Sequence, residues 1–123
     1  MSGNKIFADT NILLYLLNGD ETLADFLEGK QLYMSFITQL ELLSYGELSE
    51  SEQDIIEDML KQCVIIDINA PIKQKTIQLR RQYKIKLPDS IIMATAIYLD
   101  LPIITADDGF KKVEELNLVY YEK

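Results

Sequence analysis

The chain has 123 residues, enough for one domain and too few for two ordinary ones, and 48% of them are hydrophobic. Twenty acidic residues against twelve basic ones leave a net charge of −8, which argues against holding nucleic acid by broad phosphate neutralisation. A nucleic-acid substrate needs a local basic patch, a divalent cation or a second subunit. With no histidine, no tryptophan and Cys63 as the lone cysteine, imidazole bases, Ser-His-Asp triads, zinc–histidine sites and intrachain disulfides are excluded, so chemistry must run on carboxylates, hydroxyls, lysines or tyrosines.

Five glycines, three prolines and a mean hydropathy of zero speak against a repeat array or a low-complexity linker. No apolar run is long enough to span a bilayer, and the N-terminus lacks the basic, apolar and small-residue layout of a signal peptide. The expectation is one cytoplasmic domain over residues 1–123, with 1–4 a disordered polar lead.

Along the chain, Ile6, Phe7 and Ala8 read as a short buried strand running into a helix that begins near Asn11 and carries Ile12, Leu13, Leu14, Leu16 and Leu17. Asn18, Gly19 and Asp20 end that helix. Residues 22–27 form a second, closed by Gly29, and 32–34 a second strand. Thr38 starts a third helix, with Leu40, Glu41, Leu42 and Leu43, that stops by Gly46. Ser49 and Glu52 have capping-box spacing ahead of Ile55, Ile56, Met59, Leu60 and Cys63, which fall on one helical face.

Val64, Ile65 and Ile66 make a buried-type strand. Pro71 sits in the first turn of a helix whose apolar stripe is Ile72, Thr76, Ile77, Leu79 and Tyr83. Residues 84–88 are an extended link, because a residue before proline is pushed out of the helical region. A buried helix over 89–100, a strand over 102–104, a short helix over 110–116 and a strand over 118–120 complete the chain. Short apolar strands alternating with helices indicate an α/β domain with a mostly parallel central sheet and right-handed crossovers.

Four carboxylates share one address in that scheme. Asp9 follows the first strand, Glu41 lies in the first turn of the helix after the second strand, Asp89 opens the buried helix, and Asp107 follows the fourth strand. Taken singly, each suits a helix N-terminus, and Glu41 has capping-box spacing with Thr38. Together they lie at strand-to-helix junctions, which a parallel sheet gathers on one edge. Two carboxylates about 4 Å apart repel by roughly 4 kcal/mol at an effective dielectric of 20. A hard divalent cation, Mg²⁺ or Mn²⁺, is the natural counter-charge, and it suits hydrolysis of a phosphodiester by an activated water. Thr10, Asn11, Ser90 and Thr105 supply hydroxyl or amide groups that either orient the acids or simply cap and turn the chain.

Asp9-Thr10-Asn11 after a strand, Glu41, Asp89 heading Asp-Ser-Ile-Ile-Met-Ala-Thr-Ala, and Thr105-Ala-Asp107-Asp-Gly-Phe110 after a strand resemble a PIN domain, over nearly the whole chain from Ile6 to Tyr120. That resemblance implies a metal-dependent ribonuclease, and at this size the toxin of a VapBC-type toxin–antitoxin pair. It also implies a homodimer and a small antitoxin that occludes the acidic cleft. It makes Asp9, Glu41, Asp89 and Asp107 the catalytic, metal-binding acids, Thr105 a supporting hydroxyl and Phe110 a packing residue. The position after Thr105, often basic in these toxins, is Ala106 here, which bears on RNA affinity and leaves the metal site intact. Asp108 adds an acid that is either a further ligand or a helix cap.

Two other readings stand beside it. A PIN-like domain that binds RNA or a partner without cutting keeps the same four acids. A phosphoacceptor signalling module instead uses Asp67, after the third strand, with Asp9 and Thr105, and leaves Glu41 and Asp89 without a role.

Overall fold

Ile6, Phe7 and Ala8 lie buried in β1 (Lys5–Ala8), the middle strand of a five-stranded sheet. The structure is a computed structural model, and it describes residues 4–44 and 46–123. The polar lead expected over 1–4 therefore falls, apart from the exposed Asn4, outside the described residues. After β1 come α1 (Thr10–Leu17), α2 (Glu21–Leu27), β2 (Gln31–Ser35), α3 (Phe36–Leu43), α4 (Glu50–Lys61), β3 (Val64–Ile66), α5 (Ala70–Gln82), α6 (Leu87–Leu99), β4 (Ile103–Thr105) and β5 (Leu118–Tyr120). The strands lie in the order β3-β2-β1-β4-β5, and every pairing is parallel.

Side chains alternate across each strand, so the sheet has two cores. Ile6, Ala8 and Ile104 face one, with Ile12, Leu13, Leu23 and Leu42 from the first helices. Phe7 and Ile103 face the other, against Ile72, Leu79, Ile92 and Met93 of α5 and α6. β1 is buried on both faces, and both ends of its ladder are taken, by β2 and β4.

The chain leaves β1 toward β2 and β3 on one side and returns to β4 on the other. The boundary between β1 and β4 is thus the topological switch point, where open parallel sheets form a crevice outside the carboxyl ends of the strands. Asp9 follows β1 directly, and Asp107 follows β4 after the single residue Ala106.

Several expectations need correction. β3 is an edge strand and only partly buried, because nothing pairs beyond it. Ile55 is 58% exposed and Ile77 is 51% exposed; each sits at the rim of its helix stripe, where the partner surface falls away. Ile55 borders an apolar groove of about 250 Å³ formed with Leu14, Leu17, Leu42 and Leu48. The helix of residues 89–100 begins earlier, at Leu87, since a proline in the first turn is already shaped for a helix. The helix expected over 110–116 is a single 3₁₀ stretch, Asp108–Lys112, held by the Asp107 side chain at its start. The Ser49–Glu52 capping box forms as expected, with both reciprocal hydrogen bonds present.

Neighbouring residues of α4 make a direct check on this packing. Ile56→Ala should cost about 2–5 kcal/mol in urea unfolding, as a buried isoleucine does, and Ile55→Ala should stay within about 0.5 kcal/mol.

Candidate active site

Asp9 occupies the one-residue gap between β1 and α1 and is only 5% exposed. Its backbone N–H donates to Ile104 O at 3.1 Å, the last rung between β1 and β4, which fixes where its side chain starts. As N-cap of α1 it accepts Thr10 N–H on Oδ1 at 2.8 Å. Its other oxygen, Oδ2, accepts the Thr105 hydroxyl at 2.8 Å.

Thr105 is wholly buried at the end of β4, and its Oγ1 also accepts Asp107 N–H at 3.1 Å. A single hydroxyl therefore links the Asp9 carboxylate to the backbone of Asp107. Asp107 caps the 3₁₀ helix by accepting Gly109 N–H on Oδ1 at 2.8 Å. A Cβ at position 109 would stand 3.1 Å from that oxygen, so glycine leaves the turn its room.

Glu41 reaches the same edge by another route. Its Oε1 accepts the Thr10 hydroxyl at 2.6 Å, and Thr10 Oγ1 lies 2.9 Å from Thr38 Oγ1. Since Thr10 spends its one proton on the carboxylate, Thr38 is the donor in that pair. This differs from the expected Thr38–Glu41 capping box. β2 runs on to Ser35, which caps α3 through Ile37 N–H, so Thr38 is already inside the helix and Glu41 lies in its second turn. Thr38 and Glu41, three apart on one face, meet Thr10 together. Thr38 is the positioning residue that cap reasoning missed; its signal was the i, i+3 spacing to Glu41.

Asp89 stands third in α6, half-buried in the first turn. Burial raises its carboxyl pKa, the charges of Asp107 and Glu41 add to the rise, and Lys86 opposes it. Asp9 is pushed up to about 6, first by burial and then by the charges of Asp89 and Asp107, against the two hydrogen bonds from Thr105 and Thr10. The four acids thus share one electrostatic neighbourhood.

The remaining residues divide. Ser90 is buried, but its hydroxyl donates to Leu87 O at 2.7 Å inside its own helix and makes no hydrogen bond to the acids among the described residues. Asn11 is exposed on α1, with no side-chain hydrogen bond to them among the described residues. Asp108 is exposed, and the Tyr120 hydroxyl, then Lys111 at 3.4 Å, hold its carboxyl pKa low. Asp67 lies beyond β3 at the sheet edge, and β2 intervenes between it and Asp9, roughly 10 Å at ordinary strand spacing. That separation removes the shared site a phosphoacceptor module needs.

The family model described as PIN domain matches residues 6–116. The chain belongs to the PIN domain family. Ribonuclease VapC2 of Methanocaldococcus jannaschii is 26% identical over 142 residues, covering 97% of this chain and 95% of the relative. A toxin–antitoxin complex from Klebsiella pneumoniae contains a chain 33% identical, with a TM-score of 0.83, covering 96% of this chain and 99% of its counterpart. VapBC2 from Rickettsia felis, bound to a fragment of promoter DNA, shares the fold at a TM-score of 0.85 and 24% identity, over 96% of this chain and 99% of that one.

In this PIN domain the donor set suits a hard divalent cation: all oxygen, mostly carboxylate, with no ion pair to Asp9, Glu41, Asp89 or Asp107 among the described residues. As the side chains lie, no three of Asp, Glu or Cys among the described residues close tightly enough to hold an ion. The fit is one of charge and donor type.

Asp9 gives a pH test without any ion. Its pKa is 3.8 unfolded and about 6 folded, so the folded state holds the extra proton between those values. The contribution of Asp9 to stability is greatest below its unfolded pKa and falls as pH rises through about 6, by about 3 kcal/mol, because ionised Asp9 is buried among like charges. Asp9→Asn should lack this fall. In urea titrations free of divalent ions, the variant should exceed wild type at pH 7, and the gap should close toward pH 4.

Proposed function

We propose that this PIN domain is a Mg²⁺- or Mn²⁺-dependent endoribonuclease, and that it is the toxin of a toxin–antitoxin pair. The observation that carries the reading is a carboxylate buried at the switch point, Asp9, with the charges of Asp89 and Asp107 around it and no Lys or Arg paired with it among the described residues. Leaving an acid in such a place costs stability, and a ligand that needs the negative charge is what would repay it. The names of the similar proteins, a ribonuclease and a toxin–antitoxin complex, support the same reading.

Asp9, Glu41, Asp89 and Asp107 would hold the cation. A divalent ion there supplies Lewis acidity toward a phosphoryl oxygen and toward the attacking water. The chain's own residues do the positioning. Thr105 and Thr10 N–H each occupy one oxygen of Asp9, which fixes the carboxylate plane and leaves each oxygen a second lone pair. Thr38 and Thr10 relay a hydrogen bond that aims Glu41, and Gly109 N–H turns Asp107. In this reading the domain spans 1–123, works in the cytoplasm as a homodimer, and is silenced by an antitoxin that covers the acidic edge.

Cleavage of structured RNA should require Mg²⁺ or Mn²⁺ and should vanish in excess EDTA and in Asp9→Asn. Cutting that persists with EDTA would sink the proposal. Thermal melts separate a joint site from four independent caps, because Asn caps about as well as Asp. Without divalent ions, Asp107→Asn should be more stable than wild type by about 1 kcal/mol through relieved repulsion. Mn²⁺ should then stabilise wild type more than the variant. Equal shifts on adding Mn²⁺ would mean the acids act singly.

A further inference from the structure

The basic residues of this acidic protein are not spread evenly. Residues 68–88 hold no acid and six of the chain's twelve Lys and Arg, so a stretch of +6 sits in a protein of −8. Three of the six have ordinary explanations. Lys75 pairs with Glu115 at 2.9 Å, and Arg80 and Arg81 lie in the last turn of α5, where cations suit the helix dipole.

Lys86 does not fit such an explanation. It is the N-cap residue of α6, makes no side-chain cap, and places a cation at the positive end of a helix, where the dipole disfavours it. Its charge acts instead on the Asp89 carboxyl, so the rule broken at the helix start points to the acidic edge. Arg80, Arg81, Lys84 and Lys86 make no ion pair among the described residues. The link between the helices is also held in shape: Arg80 Nε donates to Ile85 O at 3.3 Å, and Lys112 Nζ donates to Lys84 O at 2.7 Å.

These four cations line an open groove of about 740 Å³. At Lys84, Ile85 and Lys86 it meets a smaller hollow of about 200 Å³, bounded by Asp89, Asp107 and Lys112. The basic groove therefore leads into the acidic edge, and Lys86 is close enough to act on the Asp89 carboxyl.

We propose that the α5–α6 corner, through Arg80, Arg81, Lys84 and Lys86, is the track that binds the phosphate backbone of single-stranded RNA and leads it to the carboxylates. This rests on the ribonuclease reading and supplies the local basic patch that a chain of this charge requires. Phosphate contacts position a strand without reading its sequence. Ala106 adds no cation beside Asp107, so the strand is gripped from the α6 side.

The test uses a fluorescein-labelled, mixed-sequence single-stranded RNA, with anisotropy read in EDTA across a salt series. Arg80, Arg81, Lys84 and Lys86 are changed to Gln together; a charge-matched control changes Lys5, Lys30, Lys61 and Lys123 to Gln. The corner variant should bind at least about tenfold more weakly, with a log–log salt slope shallower by roughly 3, and the control should change less than about threefold. If the fourfold variant unfolds, the pairs Arg80→Gln/Arg81→Gln and Lys84→Gln/Lys86→Gln each should carry about half the slope change. Equal losses in corner variant and control, no RNA binding by wild type, or capture of polyglutamate in place of RNA would overturn the track.

Cleavage with Mn²⁺ keeps the two claims apart. Corner-dependent binding without cutting removes the ribonuclease and leaves the track. Cutting by the corner variant at unchanged KM removes the track and leaves the ribonuclease. A KM raised about tenfold, with kcat within about twofold, is expected if both hold.

Discussion

The site depends on one hydroxyl. Thr105 Oγ1, buried at the end of β4, donates to Asp9 across the switch point and accepts from the backbone of Asp107. A hydrogen bond to a charged group contributes about 1.5–3 kcal/mol, and Asp9 receives a second from Thr10 N–H. Even so its pKa rises to about 6, so burial and like charge outweigh both donors. The fold holds Asp9 in place and leaves its charge uncompensated. That imbalance sets Asp9 apart from the caps Asp20, partly buried, and Glu52, exposed, whose hydrogen bonds hold their carboxyl pKa low.

Much of this was legible in the residues. The strands around Ile6, Leu32, Val64, Ile103 and Leu118 declare themselves by short apolar runs, and Ser49–Glu52 and Pro71 mark helix starts that local chemistry determines. Asp9 and Asp107 were legible as junction residues, because a parallel sheet puts the carboxyl ends of its strands on one edge; Asp89, which opens a helix that follows another helix, and Glu41, a turn inside α3, are brought to that edge by tertiary packing. What failed was local reasoning applied where tertiary packing decides. Thr38 has the spacing of a cap, but β2 continues to Ser35 and carries Thr38 into the helix, where it meets Thr10 across the fold. Ile55 and Ile77 fit their helical stripes by periodicity, and only the breadth of the neighbouring surface leaves them exposed. Strand order is likewise invisible to periodicity, and it is what sets Asp67 at an edge and Asp9 beside Thr105.

Charge is arranged by region and not by average. The net −8 suggests a protein that nucleic acid would avoid, but residues 68–88 carry no acid at all, and α5 and α6 turn that stretch toward Asp89 and Asp107. In the proposed reading, an acidic edge fed from a basic corner would let one small domain attract a polyanion and still keep carboxylates for a cation.

The central claim is that these carboxylates act as one cation site with Asp9 at its base. Calorimetric titration of Mn²⁺ in two buffers of different ionisation heat tests it most directly, since it counts both ions and protons. Wild type should bind saturably, releasing roughly half a proton from Asp9 near pH 6 and almost none at pH 8, because the ligand must be ionised. Asp9→Asn and Asp89→Asn should each weaken the binding. Absence of saturable binding, or binding that both variants retain with no proton released near pH 6, would contradict it.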